Sequence, residues 1–506
     1  MSRSPLLLSG TMQRVSSRCR VVEPLSEWME LKLDLAARKL SVAHGFTLTD
    51  VTSDEYICHL GRIGYDFMLR FWPDLDNTLC SFASLWDSAI GKWRQSVIRC
   101  AAQELLHTHH LEQAVLSSVQ MFACISQRLA LTFDDRLSAE QLARMRLVQD
   151  HLRLCIFTKI DPELTALRAH SHSGSEPLLA EAAYFAMSQS AVDMTSALKA
   201  SLVDLPVNAT DGAQLVMCLL LILARDAAVG EPDDFGHPAP GRHGRSGRIM
   251  DALVFFRALF IFMDDHSVTH DSQYRDREIL EGQCDTIKQL EEHLSAFQMY
   301  FNHFIPVLPQ VLRIDYLTAL LARGAAARCR KHGYPIDAIL TMVRDGRVEQ
   351  GSVALVLLRV VQHGDEGHDE SDMFSAMDPY SLDILATDLP PVEPLVRIVF
   401  ALDWPKGTGS YRITRRKNVD AQQRTFISYD IWITGLAPTV LCPMTPSREQ
   451  EMREVLLLTR AHNTRLSLRH DRGQYVTVGM NSFSLRVGAD VRPIHWNGWT
   501  RDDWSK

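Results

Sequence analysis

The chain has 506 residues, 46% apolar and 23% charged, with a formal net charge of −8. That length accommodates two or three domains with a sizeable core, and the composition excludes a disordered, collagenous or disulfide-stapled protein. Ten cysteines are scattered without a CxxC pair, a pattern that suits buried thiols in a reducing compartment better than a zinc cluster.

Charge is unevenly distributed. Residues 1–22 carry net +4 and residues 391–506 carry net +6, leaving −18 for residues 23–390. The first 22 residues contain Arg3, Arg14, Arg18 and Arg20, several serines and no acid. This reads as a flexible basic arm, and a mitochondrial presequence has the same composition. The expected setting is intracellular, cytoplasmic first and mitochondrial second.

In chain order, Ser26 opens a helix to about Val42, and a second runs from Ser53 or Asp54 to Phe71 before Trp72-Pro73. Residues 78–132 read as two or three helices. Ser138-Ala-Glu-Gln141 is a capping box for a helix to about Thr158, and His170–Pro177 reads as a linker. Pro177 to Val203 is helical again. Two very apolar helices follow, 211–228 and 249–265. The second contains Ile249–Met263 (IMDALVFFRALFIFM), apolar at thirteen of fifteen positions, and reads as the central buried helix. Asp251 and Arg257 interrupt it, and no segment is expected to insert in a membrane. The joining segment 230–248, rich in Gly, Pro, His and Arg, reads as an exposed mobile loop.

Ile279, Ile287, Leu290, Leu294, Phe297, Phe301 and Phe304 recur at helical spacing, predicting a helix over 273–305. Shorter helices are predicted near 309–330, 335–345, 351–363 and 371–387. After Leu389-Pro-Pro391 the pattern alternates, predicting strands at 395–402, 410–414, 424–434, 464–470, 474–478 and 482–487. A helix starts among them at Thr445-Pro446. The expected fold is therefore mainly α: a large multi-helix body over 23–390, followed by a small C-terminal α+β domain over 391–506 with a mostly antiparallel sheet.

Chemistry-bearing patterns are sparse. HExxH, GxSxG and GxxxxGK[ST] are all absent. Lys406-Gly-Thr-Gly-Ser410 reads as a hairpin turn, and Glu104 with His107 lacks the second Glu-x-x-His of a di-iron bundle. The most specific signal is basic. If the C-terminal strands share a sheet, alternation places Arg412, Arg465, Arg469 and Arg486 on one face, with Arg415, Arg416 and Lys417 in the adjoining turn. Arginines on a rigid surface suit phosphate or carboxylate groups.

The leading expectation is a non-enzymatic structural or interaction protein. Its acidic helical body would be a scaffold, with a protein partner or self-assembly, and its basic end would bind nucleic acid or another anionic partner. No cofactor is required by this reading. The alternative is a metal-dependent enzyme holding a divalent metal on Asp264, Asp265 and His270 at the end of the apolar helix.

Overall fold

The computed structural model describes residues 47–53, 57, 97–108, 111, 115–129, 131–133, 151, 154–159, 167–172, 176–190, 192–204, 207–208, 212–232, 247–261, 277–307, 309, 312–329, 334–361, 370–386, 389, 392–402, 409–419 and 423–467. The described residues are 48% helical and 26% strand, and a nine-stranded mixed sheet dominates the second half. The fold is α/β. The expectations of a mainly α protein and of an α-helical class were wrong.

The strands are β1 (Thr132–Phe133), β2 (Leu154–Lys159), β3 (Leu167–His172), β4 (Val207–Asn208), β5 (Met250–Asp251), β6 (Phe297–Met299), β7 (His303–Val307), β8 (Ala325–Cys329), β9 (Ala338–Arg344), β10 (Val353–Val361), β11 (Leu395–Ala401), β12 (Ser410–Val419) and β13 (Thr425–Thr434). The helices are α1 (Leu48–Val51), α2 (Val97–Leu106), α3 (Ser118–Leu129), α4 (Pro177–Gln189), α5 (Met194–Asp204), α6 (Gly212–Val229), α7 (Ala252–Leu259), α8 (Arg277–Leu294), α9 (Ile314–Ala322), α10 (Glu370–Ala376) and α11 (Pro446–Ser467).

The large sheet runs β12-β13-β11-β10-β9-β6-β5. The far edge of β9 is shared: its end pairs with β6, while Ile339 and Ala338 pair with Ala327 and Arg328 of β8, and β8 pairs with β7. β11 runs parallel to both β10 and β13, whereas β9–β10 and β12–β13 are antiparallel.

The pleat divides the core in two. Ala354, Val356 and Leu358 of β10, Val396, Ile398 and Phe400 of β11, and Tyr429, Ile431 and Ile433 of β13 join one cluster with α2 to α8 and α11. Val353, Leu355 and Leu357, with Leu395 and Val399, join the other cluster with α1, α9 and α10. The sheet is thus the middle layer of three.

This layering explains where the sequence misleads. Residues 338–344 and 353–361, expected to be helices, are β9 and β10. Strands covered on both faces are apolar at nearly every position, so they lose the alternation that marks a strand. Asp345 and Gly346 turn the chain between them at positive φ. The helix expected over 273–305 ends at Leu294, because Phe297, Met299 and Phe301 also satisfy a period of two and Phe297–Met299 pairs with β9. Residues 154–159, expected at the end of a helix, form β2, paired with β3. In 249–265, α7 ends at Leu259, and Phe260 bridges to Leu441. In the other direction, 464–467 continues α11, since neither Gly nor Pro stops that helix after Pro446.

α6 is the one helix among the described residues that is both long and strongly apolar. By length and mean hydropathy (1.8) it could cross a membrane, yet 78% of it is buried within the fold. Gly212 at its start is required by packing: a Cβ there would lie 1.7 Å from Thr459 Oγ1 of α11. α11 also lies beside α5 through three matched polar pairs. Arg448 Nε donates to Asp193 Oδ2 at 2.6 Å, Ser196 Oγ donates to Glu451 at 2.8 Å, and Lys199 Nζ pairs with Glu454 at 2.5 Å.

A candidate anion-binding edge and two buried charge networks

β12 lies at one end of the sheet and, among the described strands, pairs only with β13. Tyr411 and Ile413 alternate towards the helical side, where Ile413 is buried and Tyr411 stacks on Phe260 at 6.5 Å. The strand carries Arg412, Arg415, Arg416 and Lys417 and no acid. Arg415, Arg416 and Lys417 are strand residues, because β12 continues to Val419 instead of turning at 415. The pleat therefore splits the cations, Arg412 and Arg416 on one face and Arg415 and Lys417 on the other. Arg412, Arg415 and Lys417 are exposed.

Each face has acidic neighbours. Arg412 forms an ion pair with Glu370 at the start of α10. Arg415 sits across from Tyr429 and hydrogen-bonds its hydroxyl, which also lies 2.6 Å from His293 Nδ1 of α8. Burial raises the Tyr429 pKa and nearby Glu292 adds to this, while Arg415 opposes it.

Beneath the edge, Arg397 and Arg416 share one buried carboxylate. Arg397 Nε and Nη2 donate to Asp430 Oδ1 and Oδ2 at 2.6 and 2.9 Å, and Arg416 Nε lies 2.7 Å from Oδ2. Arg397 Nη1 donates to the Phe374 carbonyl at 2.8 Å, and both guanidinium groups lie within 5.9 Å of the Phe374 ring. Burial raises the Asp430 pKa despite the two arginines. This clasp ties α10 to the sheet and fixes the root of Arg416.

The second network lies on the helical side. Arg128 of α3 grips Asp226 of α6 through both terminal nitrogens, at 2.5 and 2.7 Å. Arg225 Nη2 donates to Glu181 Oε1 at 2.6 Å, and its Nε donates to the Phe301 carbonyl at 3.1 Å. Asn302 Nδ2 donates to Glu181 Oε1 and the Pro177 carbonyl, so its Oδ1 faces His303 Nδ1 at 2.5 Å and the neutral imidazole carries its proton there. Both guanidinium groups stack on Tyr184, at 5.2 and 4.8 Å from the ring centre. Arg128, Arg225, Glu181, Asn302 and His303 are all essentially inaccessible to solvent.

Desolvation would lower the Arg225 pKa, but Glu181 and Asp226 together hold it above its ordinary value. His303 is pushed down to about 3, by burial first and then by Arg323 and Arg128. Two arginines balance two carboxylates, so the assembly is neutral, with Glu181 Oε1 taking both donors and Glu181 Oε2 left without a hydrogen bond. Its geometry is that of a brace between α3, α4, α6 and the β6–β7 connection.

Sequence reasoning overlooked this brace. The available signal was isolated charge within apolar runs: Glu181 in 177–187, Arg128 in 121–131, and Arg225-Asp226 closing 215–224.

Of the other expected site residues, Asp264, Asp265, His270, Arg469 and Arg486 lie outside the described residues, as does most of loop 230–248. Arg465 lies on α11 instead of on a strand, which removes it from the expected arginine face. His107 follows the end of α2 at positive φ (50°), so Glu104 and His107 do not share a helical face. Among the described residues no group of three or more His, Cys, Asp or Glu side chains could hold a metal ion. Five described cysteines are free thiols: Cys124, Cys218 and Cys329 are buried, Cys284 is intermediate and Cys442 is exposed. No protein-family description, curated protein or solved structure matches the chain.

Proposed function

We propose that this protein is a non-enzymatic binding protein whose basic sheet edge, β12, engages an anionic macromolecular partner. One observation supports the reading above the others: a ten-residue edge strand with four cations and no acid, of which Arg412, Arg415 and Lys417 are exposed. The three-layer fold behind β12 is a rigid support, and the Arg397–Asp430–Arg416 clasp holds the strand's middle in register. The Arg128–Asp226 brace belongs to this support, since its charges cancel internally and only the Asp226 carboxylate is partly exposed.

The test uses the full chain and a triple variant, Arg412→Gln/Arg415→Gln/Lys417→Gln. Arg416 is kept because it pairs with buried Asp430. Fluorescence anisotropy is measured against single-stranded RNA, duplex DNA and polyglutamate over a range of salt. The native chain is expected to bind at least one polyanion, with log affinity falling against log salt, and the variant to bind at least tenfold more weakly with a shallower slope. No binding by the native chain, or equal binding by the variant, overturns the proposal.

A further inference from the structure

Resting on that reading, we infer that the partner taken by β12 is an acidic, extended polypeptide segment that adds to the sheet as a further strand. The argument begins with the backbone. Among the described strands β12 has one neighbour, and an antiparallel strand so placed turns about half of its N–H and C=O groups outward, where pairing them is the main source of affinity in strand addition. Over ten residues the edge is about 33 Å long, enough for a full peptide strand.

The placement of the cations then discriminates among partners. A phosphate backbone follows one track and gains most when its cations line one surface. Here Arg412 and Arg416 stand on one face and Arg415 and Lys417 on the other, so one track meets only half of them. Both faces also carry acids beside the strand, Glu370 at the start of α10 and Glu292 on α8, which disfavour a bulky polyanion laid across either face. An added peptide strand lies about 4.8 Å beyond β12 in the plane of the sheet, and its side chains alternate with the same period. Its residues opposite Arg415, Arg416 and Lys417 are cross-strand neighbours of all three, on both faces at once, and opposite-charge cross-strand pairs are favourable. Val419, 56% exposed at the end of β12, offers an apolar partner for a β-branched residue at one end of the peptide.

A second copy of the chain is the poorer occupant. Self-pairing along β12 would juxtapose cations on both faces, and basic residues on an edge strand oppose that association.

The probe is a fluorescent ten-residue peptide with three central glutamates flanked by valine and threonine, titrated into the full chain. Its control replaces alternate flanking residues with proline, which removes N–H donors at unchanged charge. The native chain is expected to bind the first peptide at least tenfold more tightly than the proline peptide, and at least tenfold more tightly than the Arg412/Arg415/Lys417 triple variant does. Equal binding of the two peptides overturns strand addition while leaving a purely electrostatic edge. Salt-sensitive binding of RNA or DNA without peptide binding overturns the polypeptide class while the basic edge stands. Binding of none of these probes overturns both this inference and the reading it rests on.

Discussion

Replacing Arg225 with leucine tests the brace most directly. The substitution removes the guanidinium that meets Glu181 Oε1 at 2.6 Å, leaving that 1%-exposed residue with only the Asn302 amide as a partner. Asp226 keeps its two-pronged contact with Arg128, so the damage centres on Glu181 and on the Phe301 carbonyl, which loses the Arg225 Nε donor. Breaking a buried pair by removing one partner costs about 3–5 kcal/mol, most of it from the charge left behind. The double variant Arg225→Leu/Glu181→Leu removes that stranded charge and is expected to recover at least half of the loss. Urea unfolding followed by tryptophan fluorescence gives the midpoints for the two single variants, the double variant and the native chain. If Glu181→Leu costs as much in the Arg225→Leu background as alone, the two residues do not act as a pair.

Two further outcomes follow from packing and burial. Gly212→Ala forces a Cβ to within 1.7 Å of Thr459 Oγ1, so α6 and α11 must separate at a cost of about 1–3 kcal/mol, read as a lowered melting midpoint. Adding Thr459→Gly should restore part of the loss, and no rescue would place the fault elsewhere. His303, with a folded pKa of about 3 against an ordinary 6.5, stays neutral in the fold while the unfolded chain takes up its proton. The native chain therefore loses stability as pH falls from 6.5 towards 3, by at most about 1.4 kcal/mol per pH unit from this group. His303→Gln removes that loss, so the stability gap between variant and native chain should shrink on acidification. A gap that stays constant between pH 7 and 4.5 contradicts the burial argument.

The sequence was most legible where an element meets solvent on one side or carries a terminal signal. Pro177 at the first turn of α4, the Thr445-Pro446 start of α11 and the strand beginning at Ser410 are local, and each lies where expected. Legibility failed at the middle of the sheet. Val353–Val361 is apolar on both faces because helices cover both, so nothing in its pattern separates it from a core helix except its valine content. The candidate edge was half readable. Its residues were identifiable by charge, but their division between two faces depends on β12 running on to Val419, and its edge position depends on β13 lying inside it. The brace was unreadable as a site because its members are far apart in the chain, Arg128 from Asp226 by 98 residues, and only the fold brings them together.

The order of the strands at that end of the sheet also bears on synthesis. β13 lies between β11 and β12 in space but follows both in sequence. As the chain leaves the ribosome, β11 cannot complete its second parallel partnership until Thr434 has emerged. β12 has no sheet to join before then, since its described pairing is wholly with β13. The apolar flank of β11 is thus the stretch that a nascent-chain chaperone would have to shield, and the hairpin of β12 and β13 arrives as one unit to close it.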